Sequence, residues 1–139
     1  MKEETYNFWQ DHSDRYLEMA FRTDRRGTVE HPDGYGKSTG QCHDTVEIFV
    51  SLRGDRIQSL MFSTDGCLNT GACTNAVAEL VEGKTLSEAW EVAAEDVIEF
   101  LQTLPSDHHH CAELAVGALY RALANCTELQ RSPWKKMYR

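Results

Sequence analysis

The sequence predicts an α+β domain: a small antiparallel sheet with helices packed mainly on one face. Three observations carry that prediction. Apolar and polar residues alternate across 44–62, the signature of half-buried strands. From about Thr70 the apolar period lengthens to that of a helix and stays there to Cys126. The order helix, strands, helices separates the two kinds of element instead of alternating them, which favours an antiparallel sheet.

The elements follow in order. Residues 5–22 read as a helix with Trp9, Tyr16, Leu17, Ala20 and Phe21 on a loose apolar face and Ser13 as a helix entry. Residues 23–41, with Gly27, Pro32, Asp33-Gly34, Gly36 and Gly40, read as a long loop or a short edge hairpin. Val46, Ile48 and Val50 face one side of a strand over 44–52, with Glu47 and Phe49 on the other. Arg53-Gly54-Asp55-Arg56 is a hairpin turn into a second strand carrying Ile57, Leu60 and Phe62. Cys73, Ala76, Val77, Leu80 and Val81 form one stripe of a helix closed by Gly83. Thr85-Leu86-Ser87-Glu88 opens a short helix, and Glu95-Asp96 opens another that runs toward Leu104-Pro105. A last helix covers about Asp107 to Cys126. The domain is expected to span 1–126, with 127–139 a loosely ordered basic tail.

At 139 residues, 41% hydrophobic and 26% charged, the chain is long enough for one real core. A net charge of −8 leaves no basic stripe for phosphates, so no nucleic-acid partner is expected. No apolar leader follows Met1-Lys2-Glu3-Glu4, and no apolar run reaches membrane-spanning length. A cytoplasmic location with no membrane contact is therefore expected. Five cysteines, an odd number, in such a compartment argue for metal, redox chemistry or plain burial over a disulfide framework.

Three of those cysteines fall at element junctions. Cys42 lies in Cys42-His43-Asp44, Cys67 in Asp65-Gly66-Cys67, and Cys111 ends Asp107-His108-His109-His110-Cys111. Cys42 and Asp44, two apart at a strand entry, would share a face. Cys67 and Cys111 lie near helix N-termini, where the dipole favours a thiolate. His110 offers a nitrogen ligand or proton acceptor. Cys73 and Cys126 sit on apolar stripes and read as core, and His108 and His109 read as a solvated helix cap. Gly36-Lys37-Ser38-Thr39 is no P-loop, because His31 stands where the motif needs glycine. The histidine run is no Asp-His-His-Cys acyltransferase signature either: it has one histidine too many and no membrane span.

These segments resemble the U-type iron–sulfur cluster scaffolds, the IscU proteins and the N-terminal domain of NifU. Cys42-His43-Asp44 is similar to that family's Cys-Gly-Asp. Gly66-Cys67, then Gly83-Lys84-Thr85-Leu86, His110-Cys111 and Asp33-Gly34-Tyr35-Gly36 match its other short motifs in order. The match covers roughly 12–126. The resemblance implies three strands with helices on one side. It implies a scaffold rather than an enzyme, which receives sulfur from a cysteine desulfurase and passes a labile [2Fe–2S] cluster to apo-proteins. Cys42, Cys67, Cys111 and Asp44 would hold the cluster, the iron or a zinc ion, with His110 as an alternative fourth ligand. His43 departs from the family glycine, Thr23-Asp24-Arg25-Arg26 from Asn-Pro-Arg-Asn, and Leu104-Pro105-Ser106-Asp107-His108 from Leu-Pro-Pro-Val-Lys. The last change counts against recognition by an Hsp70-type chaperone. A zinc-binding structural domain with the same ligands is the alternative, since three thiolates and one Asp or His suit tetrahedral zinc. A zinc hydrolase is disfavoured because neither Glu47 nor Glu113 sits in an H-x-E pattern.

Overall fold

A computed structural model describes residues 12–41 and 43–138. The described elements are α1 (Asp14–Phe21), β1 (Gly34–Thr39), β2 (Thr45–Arg53), β3 (Arg56–Thr64), α2 (Leu68–Val81), α3 (Leu86–Ala89), α4 (Ala94–Leu101) and α5 (His109–Arg131). The three strands form one antiparallel sheet in the order β1-β2-β3, and α5 lies over β1 and β2 while α2 lies over β3. The α+β expectation, with three strands and the helices gathered on one face, holds.

Local chemistry explains most boundaries. Ser13 caps α1 by accepting from the Tyr16 amide. Phe21 is 49% exposed, not on the apolar face: Tyr16, Met19 and Ala20 fill that face at i, i+3, i+4, and Phe21 is turned off it. The expected positions 5–11, Trp9 among them, lie outside the described residues. Gly54-Asp55 makes the β2–β3 turn with Gly54 at φ 65°. Thr85 and Glu88 form a reciprocal capping box at α3. The last helix does not stop near Cys126. It continues to Arg131, because Leu129 extends the buried stripe begun by Leu119, Ala122 and Cys126. Residues Pro133–Tyr138 then make a 3-10 turn, and Lys136 pairs with Asp33 at 2.7 Å.

Residues 34–39 form an edge strand; of the two expectations for 23–41, a long loop or a short edge hairpin, the second is the nearer, although β1 pairs with β2 and not within that segment. The strand's pattern is Gly-Tyr-Gly, and the reason for the glycines is above it. A Cβ on Gly36 would lie 2.3 Å from the Ala118 carbonyl oxygen and 2.3 Å from the Ala122 nitrogen. One on Gly34 would lie 2.2 Å from Cys126 Sγ. Helix α5 thus rests its backbone on bare glycine. Asn125, on the same helix, accepts from the Tyr35 amide at 2.9 Å, satisfying an edge donor that no further strand pairs.

Helix α2 differs from the single-stripe expectation. Beyond the stripe, Thr70, Gly71, Ala72, Thr74, Asn75 and Ala78 are also buried, because α1, α4, α5 and β3 pack around it. Small side chains off the stripe allow that approach. Buried Asn75 donates to the Met19 and Arg22 carbonyls at 2.8 and 3.2 Å, closing the end of α1. Arg25, 5% exposed, pairs with Glu79 at 2.7 Å and Glu82 at 2.8 Å. Together these polar contacts fix α1 and the following segment against α2, and so fix the frame in which Cys67 stands.

Candidate metal centre

The N-terminus of α2 and the N-terminus of α5 meet at one end of the molecule. Cys67 is the residue capping α2, in extended backbone, and its carbonyl accepts the Thr70 and Gly71 amides. Cys111 sits in the first turn of α5, buried to 1% exposure. Between them lies Thr70, fully buried, its Oγ1 3.5 Å from Cys111 Sγ and 3.8 Å from Cys67 Sγ. One hydroxyl therefore faces both sulfurs.

The two thiols are not equivalent. Partial burial works to raise the pKa of Cys67, but the amide and hydroxyl of Thr70, with the amide and side chain of Asn69, outweigh it and bring it below its ordinary value. The Tyr16 hydroxyl donates to Asn69 Oδ1, which fixes that amide. Cys111 goes the other way. Burial raises its pKa to about 11, the Thr70 hydroxyl opposes this, and negative charge on Cys67 and Asp44 adds to it. Thus Cys67 is the readier thiolate, and Cys111 needs a cation beside it to lose its proton.

Cys67, His108 and Cys111 offer ligand atoms that all lie within 4.8 Å of one another. Donors on one tetrahedral zinc stand about 3.8 Å apart for two sulfurs at bond lengths of ~2.3 Å, so a small closure would suffice. His108 is the N-cap of α5, as expected, but it is half-buried and not a fully solvated cap. Its Nδ1 is 4.0 Å from Cys111 Sγ, because a 3-10 turn over Ser106–His108 leads into α5 and folds the ring back toward the sulfur. His109 is half-buried and outside the group. His110, the expected nitrogen donor, is exposed with its Nε2 3.8 Å from Cys111 Sγ.

Cys42 lies outside the described residues. Its neighbours form a tight loop between β1 and β2: the Gly40 amide donates to the Asp44 carbonyl at 2.8 Å, and the His43 amide to the Gly40 carbonyl at 3.0 Å. Asp44 is half-buried, and its charge acts on Cys111. His43 adopts φ 66°, the left-handed region that disfavours any residue with a Cβ. A glycine at this position, as in the family pattern, would remove that strain. His43→Gly should raise stability by about 1 kcal/mol, reduced a little by glycine's greater unfolded freedom. A urea midpoint that falls or stays put would refute this.

Cys73 and Cys126 are fully buried, as expected of core thiols. Burial raises the pKa of both, that of Cys126 to about 12. Among the described residues no helix is long and apolar enough to cross a membrane.

Comparison with known proteins identifies the family of the chain. A family model described as NifU-like N terminal domain matches residues 12–132. The iron-sulfur cluster assembly scaffold protein IscU 1 of Archaeoglobus fulgidus is 31% identical over 115 residues, covering 82% of this chain and 75% of its own length. The nitrogen fixation protein NifU of Nostoc is 30% identical over 124 residues, 83% of this chain and 41% of that protein. In fold, the chain is similar to the N-terminal part of a nitrogen-fixing NifU-like protein from Brucella abortus. There the TM-score is 0.69 at 17% identity, over 88% of this chain and 99% of that one.

Proposed function

The chain belongs to the family of NifU-like N-terminal domains, and from that premise we propose that it is a scaffold for a labile iron–sulfur cluster. It receives persulfide sulfur from a cysteine desulfurase, combines it with iron as a [2Fe–2S] cluster once that sulfur is reduced to sulfide by electrons from ferrous iron and an external reductant, and passes the product to apo-proteins in the cytoplasm. The cluster is cargo. Cys42, Asp44, Cys67 and Cys111 hold it, with a histidine of the run before Cys111 as a nitrogen ligand. Its role is binding and transfer rather than catalysis.

One observation supports this reading above the others: the donor set is mixed. Permanent clusters usually rest on four thiolates. Here two thiols of opposite acidity stand beside an imidazole and within reach of a carboxylate's charge. Such a site can take up metal and give it back. The donor spacing suits zinc equally, which makes zinc a plausible occupant of the protein as isolated and keeps the structural zinc domain as the rival reading.

The test is anaerobic incubation of the apo-protein with ferrous iron, cysteine, a desulfurase and a thiol reductant that supplies the electrons for sulfide formation. The expected result is a visible chromophore that moves to an apo-ferredoxin. Zinc that stays bound, with no colour formed, would overturn the scaffold reading.

A further inference from the structure

We propose that His108 supplies the nitrogen ligand of this site, and that His110 stands at its rim. The inference deepens the scaffold reading and rests on the same donor set.

Helix geometry separates the two histidines. His108 ends the 3-10 turn and is the N-cap of α5, three residues before Cys111, and an N-cap side chain reaches over the first turn toward the third helical position, which is Cys111. His110 directly precedes Cys111 and is turned about 100° away around the axis. The contacts follow this division. The His108 nitrogen joins both sulfurs in one mutual group, whereas His110 comes near Cys111 alone. His110 instead lines a recess of about 310 Å³ of mixed polar and apolar lining with Ser38, Thr39, Gln41, Glu113 and Leu114, on the β1 side of α5. The two rings are 5.8 Å apart, so they occupy separate places.

The ring is turned toward the sulfurs: Nδ1 of His108 lies 4.0 Å from Cys111 Sγ. The exposed Asp107 carboxylate stands 4.0 Å from Nε2, too far for a hydrogen bond, so the ring's orientation comes from the backbone of the 3-10 turn and not from Asp107.

The experiment uses zinc and cobalt(II) as probes on the full chain. Zinc affinity is measured against a chromogenic chelator, and the cobalt d–d bands report whether nitrogen remains in the coordination sphere. His108→Ala should weaken zinc more than tenfold and shift the cobalt bands. Asp107→Asn should change it by less than about threefold, below the roughly tenfold scale of a lost hydrogen-bonded outer partner. His110→Ala should change affinity by less than about threefold, well inside that scale. Circular dichroism of the apo-proteins controls for folding, and all three positions are surface-facing enough to tolerate change. A loss in His110→Ala that equals or exceeds the loss in His108→Ala overturns the assignment, as does no loss in either. Desulfurase-driven cluster formation is scored separately on the parent chain. Its failure would sink the scaffold reading while the zinc affinities still decide between the histidines.

Discussion

Gly36→Ala should be the most damaging single-methyl change in the fold. The added carbon would lie 2.3 Å from two backbone atoms of α5, the Ala118 oxygen and the Ala122 nitrogen. A side chain in the way can rotate; a helix backbone cannot. The helix must lift from the sheet or slide, and either opens the layer where Ile48, Val50, Leu119 and Leu123 are fully buried. Overpacking commonly costs about 1–3 kcal/mol, and a clash with backbone belongs at or above the top of that range. The melting temperature should fall by about 10 °C for a chain of this size. Gly117→Ala is the control. There the new carbon meets only the Ser38 hydroxyl, at 3.3 Å, inside a helix that prefers alanine. It should be neutral or stabilising. If the two variants melt together, the glycine seat does not hold α5.

Asp44→Ala should trap the cargo. Asp44 brings a negative charge to a site whose other donors must themselves be anionic, and that charge already opposes ionisation of Cys111. In a cluster-loaded site it would act both as a weak oxygen ligand and as a source of repulsion. Removing it lowers the repulsion and closes an easy route of exchange for an acceptor's thiolate. Transfer to apo-ferredoxin should slow by on the order of tenfold, the scale on which changes around a ligand set move metal sites. Asp44→Asn, which keeps the oxygen and drops the charge, apportions the two contributions. Transfer at the parental rate in both variants would rule out this role for Asp44.

What the residues disclose in advance depends on how local the cause is. Ser13, the Gly54 turn, the Thr85 box and the helix entry at Cys67 were readable because each is settled within four or five residues. Strand β1 was only half readable: a short edge hairpin was one of two readings of 23–41, but Gly34 and Gly36 read as turn residues. Only contact with α5, some ninety residues on, shows that they are bare to admit a helix. The same holds for α2. Its stripe was visible, but nothing in the sequence shows that four neighbours would bury the other faces. At the site, Cys67 and Cys111 were legible as junction thiols. His108 was set aside as a cap because three histidines before a helix look alike until a 3-10 turn distinguishes them. Thr70 was not foreseen either; its role comes from lying between two sulfurs forty-four residues apart in sequence.

The donors come from the caps of two helices that are packed together but joined only through a long stretch of chain. A metal bound there is therefore a cross-link between distant segments, and loading and folding become one equilibrium. At a free metal concentration of about 100 times the dissociation constant, binding adds ~2.7 kcal/mol to the stability of the whole fold. Handing the metal on removes that increment. The empty protein is then the softer of the two states, and α5 is freer to loosen at the end where the next load must enter.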